Sequence, residues 1–132
     1  MKNSSSIFIS LVFLLALSSG IFFCQQADLS GKWVGQTEVP NAAEADKLTL
    51  VLEKKEGGYK GKVSDSMGML QDTELEDLEF KDNNLSCNFL VNTGQGFLKI
   101  KMTLTVEGNK MKGSWWDTEG ESSGSVELER EK

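Results

Sequence analysis

The sequence predicts an all-β chain folded as an eight-stranded antiparallel up-and-down β-barrel. Three observations predict it. Apolar and polar residues alternate with period two through most of the chain after residue 30, the pattern of half-buried strands. Turn-forming residues interrupt that alternation at close intervals. Apolar spacings of three and four, which would mark a helix, are scarce, and Pro40 is the only proline.

The elements follow in order. Gly31 to Val39 is the first strand, with Trp33, Gly35, Thr37 and Val39 on one face, and Pro40-Asn41-Ala42-Ala43 breaks it. The second, about Leu48 to Lys54, aligns Leu48, Leu50 and Leu52. Lys55-Glu56-Gly57-Gly58 reads as a hairpin turn, because glycine supplies the positive φ angles of tight turns. The third strand, Tyr59 to Asp65, puts Tyr59, Gly61 and Val63 on one face. Ser66 to Asp72 is a longer connection. The fourth strand, about Glu74 to Phe80, is the least regular: Leu75 and Leu78 are three apart, which signals a bulge or a helical stretch. After Asp82-Asn83-Asn84, the fifth strand, Leu85 to Asn92, aligns Leu85, Cys87, Phe89 and Val91. Phe97 to Val106 is the clearest strand, with Leu98, Ile100, Met102, Leu104 and Val106 on one face and Lys99, Lys101, Thr103 and Thr105 on the other. The seventh, Lys110 to Asp117, aligns Met111, Gly113 and Trp115, and the eighth aligns Gly124, Val126, Leu128 and Arg130. Short connections favour pairing between sequence neighbours. Such pairing sets Lys110 and Lys112 beside Glu127 and Glu129. Closing the sheet removes exposed edges.

The N-terminus reads as an export signal, residues 1–24, ahead of a barrel domain at 28–132. Lys2 is the positive start, Ile7 to Leu17 the apolar stretch, and Ser18-Ser19-Gly20 the small-residue region. Ile7 to Phe23 is at the lower edge of a membrane span, and no cationic cluster follows it. Cys24, followed by Gln25-Gln26, resembles the lipidated cysteine of a bacterial lipoprotein, although Phe22-Phe23 stand where small residues are usual. Lipidation at Cys24 would anchor the chain in the cell envelope by its N-terminus. Cleavage after Gly20 or Ala27 stays open, and with it a secreted or periplasmic soluble form. Cys87 lies on an alternating apolar face, where a free cysteine behaves as a small buried hydrophobe.

Composition excludes several activities. Histidine is absent, so no Ser-His-Asp triad, Cys-His pair or His-based metal site can form. The whole chain has 14 Lys+Arg against 20 Asp+Glu, a net charge of -6. Lys2 is the only charged residue of the leader, so the remainder is at -7. Such a chain is a poor nucleic-acid partner. Glu74, Glu76, Asp77 and Glu79 read as a solvated acidic strand, with no metal or cofactor implied. The expectation is a non-enzymatic protein acting as a monomer.

Gly31-Lys32-Trp33 at the start of the first strand resembles the Gly-x-Trp opening of the lipocalin and avidin-like superfamily. The end of the chain, Met111-Lys112-Gly113-Ser114-Trp115 and then Gly124-Ser125-Val126-Glu127-Leu128-Glu129, is similar to compact bacterial lipocalin-like domains. The resemblance implies that Trp33 caps the closed barrel end and that Arg130, the only arginine, stacks across it from the last strand. It also implies a binder of a small hydrophobic or amphiphilic ligand. The residues expected to line its cavity are Tyr59, Met67, Met69, Phe89, Ile100, Met102 and Trp115. Gly35, Gly61 and Gly113, at inward positions, are expected to make room for it. The alternative is a protein-interaction barrel, an inhibitor or accessory domain for an envelope or secreted hydrolase, with Trp116 on its outer face.

Overall fold

The structure is a computed structural model that describes residues 28–120 and 122–132. The expected export signal and Cys24 lie outside the described residues. The described chain is all strand and forms a nearly closed antiparallel barrel, compatible with a lipocalin-like fold. The strands are β1 (Gly31–Thr37), β2 (Asp46–Lys55), β3 (Gly58–Asp65), β4 (Thr73–Glu74), β5 (Glu76–Lys81), β6 (Asn84–Asn92), β7 (Phe97–Glu107), β8 (Lys110–Asp117) and β9 (Ser123–Arg130). In the sheet they run in the order β4-β3-β2-β1-β9-β8-β7-β6-β5.

The described chain has nine strands where the sequence predicts eight. The expected fourth strand is divided at Leu75 into β4 and β5, because the chain changes partner there. β4 pairs with β3, through Lys62 with Glu74 and Val63 with Thr73. The Leu75 amide still donates to the Gly61 carbonyl oxygen, at 2.9 Å. β5 then pairs with β6, and its register shifts between Glu76 and Glu79. Asp77 takes up the shift with a φ of 50°, and Asn88 Nδ2 donates to its Oδ2 at 2.9 Å. The three-residue spacing of Leu75 and Leu78 is the sequence trace of this bulge. Both leucines pack against the core.

The inward faces follow the alternation. Trp33, Leu50, Leu52, Val63, Leu85, Met102, Leu104, Met111, Val126 and Leu128 are buried. Two core residues lie outside the alternating strands: Leu29, before β1, is wholly buried, and Leu70 comes from the β3–β4 connection. Turn chemistry fits the hairpins. Asp82 and Asn83 between β5 and β6 both have positive φ, 53° and 65°, as a two-residue turn with the right twist requires. On the outer face Lys110 reaches Glu129 at 3.6 Å and Lys112 reaches Glu127 at 3.8 Å. These pairs are well exposed, so each adds at most about 1 kcal/mol.

The inward glycines serve close approach and do not make room for a ligand. A Cβ on Gly35 would collide with the Glu127 carbonyl oxygen, and one on Gly113 with that of Thr103. At Gly61 it would meet the Val51 carbonyl and the Leu52 side chain. Each glycine lets a neighbouring strand press onto its own.

Candidate functional site: an apolar cavity at one barrel end

The barrel has two different ends. At the first, the segment before β1 meets the last strand. Trp33 and Arg130 are cross-strand partners, and the guanidinium carbon stands 4.4 Å from the Trp33 ring centroid. That contact contributes about 0.5–2 kcal/mol. Arg130 also donates from Nη1 to the Ser30 carbonyl oxygen at 2.7 Å and from Nη2 to that of Asp28 at 2.8 Å. Trp33 Nε1 donates to the Leu29 carbonyl oxygen at 3.0 Å. The Leu29 amide in turn donates to the Tyr59 hydroxyl at 3.1 Å. Leu29 therefore sits inside the barrel end, with its backbone tied down from both sides.

At the other end a cavity of about 260 Å³ opens among the strand ends. The β6 and β7 walls supply Phe89, Val91, Leu98, Ile100 and Met102, β8 supplies Trp115, and the β3–β4 connection supplies Met69 and Leu70. The polar residues on its wall include Thr37, Asp46 and Asp65. Trp115 Nε1 donates to Thr37 Oγ1 at 2.7 Å, and Thr37 Oγ1 donates to the Ser125 carbonyl oxygen at 2.8 Å. Those groups satisfy one another.

The two aspartates hold the β3–β4 connection in place. Asp46, only 2% exposed, accepts through Oδ1 from the Ser66 amide (3.1 Å), the Ser66 hydroxyl (2.8 Å) and the Met67 amide (3.2 Å). Asp65 Oδ1 accepts from the Leu70 amide at 2.8 Å. Asp65 Oδ2 is the one buried side-chain oxygen or nitrogen among the described residues without a hydrogen-bond partner. Burial pushes the Asp65 carboxyl up to about 6, and the neighbouring Asp46 carboxylate adds to the rise, while the Leu70 amide opposes it. Desolvation and a nearby like charge both disfavour the ionised form.

No protein-family model matches the chain, and neither a curated protein nor a solved structure shows significant similarity to it. The site is therefore read from its own residues.

Five of the expected lining residues come together around the cavity: Met69, Phe89, Ile100, Met102 and Trp115. Tyr59 and Met67 do not join them. Tyr59 is the second residue of β3, at the opposite end, where its hydroxyl accepts from the Leu29 amide and its ring meets Phe80 edge-on at 6.3 Å. Met67 is exposed at the tip of the connection. Alternation assigns a residue to the inner face, but it does not give its height along the barrel. Asp46 and Asp65 were missed by sequence reasoning, although a signal existed. Asp46 continues the inward series of Leu48, Leu50 and Leu52 by one step, and Asp65 continues that of Gly61 and Val63.

Elsewhere the chemistry is sparse. No group of three or more metal-ligating side chains occurs among the described residues. Cys87 is buried and free, and burial pushes its thiol up to about 12, which leaves it inert as a nucleophile. Trp116 is half-buried, with Lys101 Nζ 6.0 Å from its ring centroid. The most exposed large apolar side chain among the described residues is Phe97, at the start of β7.

Proposed function

We propose that the chain is an exported lipocalin-like barrel of the up-and-down type that binds one small apolar or amphiphilic molecule and performs no chemistry on it. The observation that carries this reading is the cavity lined by Phe89, Leu98, Ile100, Met102 and Trp115. Apolar walls with a few convergent polar groups are the usual make-up of a small-molecule site, and about 260 Å³ lies just below their usual range of ~300–1,000 Å³, which suits a small ligand. In this reading Trp33 and Arg130 close the far end of the barrel, and lipidation at Cys24 tethers the protein to the cell envelope.

Native mass spectrometry of the purified protein, with tryptophan fluorescence during titration with 1-decanol, tests the reading. A 1:1 complex and a fluorescence change that disappears in Trp115→Phe are expected. Absence of both a retained molecule and any response to decanol would overturn it. The interaction-barrel reading draws support from Phe97, 71% exposed, and predicts instead no decanol response and a protein partner whose capture Phe97→Ser abolishes.

A further inference from the structure

We propose that the cavity selects cationic amphiphiles, an apolar chain bearing an ammonium group, over fatty-acid anions. The proposal rests on the apolar-cavity reading above and adds the chemistry of the head group. The wall of the cavity carries two carboxyl groups, Asp46 and Asp65, and no lysine or arginine. A ligand carboxylate placed against that wall would meet like charges with no cation to offset them, in surroundings that screen charge poorly. An ammonium would meet the opposite situation. Asp46 Oδ1 is already engaged by three donors of the β3–β4 connection, whereas Asp65 Oδ2 is buried and has none. An ammonium placed at this wall would supply the counter-charge that no side chain of the cavity gives the pair.

The surroundings of Asp65 point the same way. Burial raises its affinity for a proton most, and a hydrogen bond with the Asp46 carboxylate beside it and that group's charge add to the rise; the amides of Leu70 and Met69 oppose it, and no cation is among the groups that act on it. An ammonium head group would supply one and draw the carboxyl back towards its ionised form.

The test compares three probes with the same ten-carbon tail: decylamine, 1-decanol and decanoate, titrated into the purified protein at pH of about 7.5, with Asp65→Asn and Asp46→Asn beside the parent. Decylamine is expected to bind about tenfold or more tighter than decanoate, with decanol between them, and the ratio is expected to fall below about threefold in Asp65→Asn. Raising the salt to ~0.5 M separates contact from general attraction to an acidic protein: the preference should persist, because a buried pair is screened far less than surface charge. If Asp46→Asn does not fold, Asp65→Asn alone carries the comparison, since its amide can keep the Leu70 bond. Equal binding of the three probes, a preference for decanoate, or a decylamine preference unchanged in Asp65→Asn would each overturn the head-group proposal while leaving the cavity reading standing. Failure of all three, decanol included, would overturn both.

Discussion

The two ends of this barrel use buried polar groups in opposite ways. At the Trp33 end, the Arg130 guanidinium lies over an aromatic face and donates to two backbone carbonyls, and Trp33 and Tyr59 each have a partner on Leu29. Hydrophobic contact and hydrogen bonding reinforce each other there around the buried Leu29. At the cavity end, two carboxyl groups share a wall without a cation, and one oxygen is left without a donor. One end is drawn together by an aromatic stack and hydrogen bonds, and the other carries carboxyl groups with no counter-charge on its wall, which is where a cationic ligand would have something to gain.

Four measurements would sharpen or break this contrast, beginning with the largest effect. Trp33→Ala should cost roughly 3–5 kcal/mol in urea unfolding, because it empties a fully buried site and unseats Leu29 and Arg130. A loss below about 1 kcal/mol would mean that this end contributes little to stability. Arg130→Ala should cost about 2 kcal/mol, from the stack and the two carbonyl bonds. Arg130→Lys should recover less than half of that, since an ammonium offers neither the planar face nor the fork; full recovery would show that charge alone matters.

The third measurement moves to the cavity end and has the opposite sign. Asp65 holds its proton up to about 6 in the folded chain, against an ordinary value of 3.8. Between these values the folded state keeps a proton that the unfolded state has released. Stability contributed by Asp65 is therefore present at low pH, falls as pH rises through this window, and stays lower above it. Asp65→Asn, which cannot ionise, should raise stability at pH ~8 by about 1 kcal/mol, after allowance for solvent screening, and change it little at pH ~4. Equal effects at both pH values would remove the charge from the explanation. The smallest effect belongs to Met69→Ala. Met69 is 39% exposed, so its loss should change the urea midpoint by less than about 0.5 kcal/mol equivalent while weakening decylamine binding several-fold. A large stability loss would make Met69 a core residue and not part of the mouth.

Much of the fold was legible because strand alternation is a strong local signal. It placed Leu48, Leu50, Leu52, Phe89, Ile100, Met102 and Leu128 on the inner face, where they are buried. What it could not convey was position along the barrel axis. Tyr59 and Trp115 have the same inward register in the sequence, yet one serves the Trp33 end and the other the apolar cavity. Leu29 and Leu70 were invisible to a periodicity argument because they lie in connecting segments, and their burial depends on tertiary contacts. The division at Leu75 was signalled only as irregularity, since a change of strand partner leaves no periodic trace. The glycines misled for a related reason. A missing side chain on an inner face creates space in a sequence diagram, but here the adjacent strand moves in to occupy it.

The bonds from Arg130 to the carbonyls of Asp28 and Ser30 also fix a direction. They bring the entry and exit of the barrel domain to one point, on the side away from the cavity mouth. A tag or support joined ahead of residue 28 or after residue 132 therefore leaves the port unobstructed.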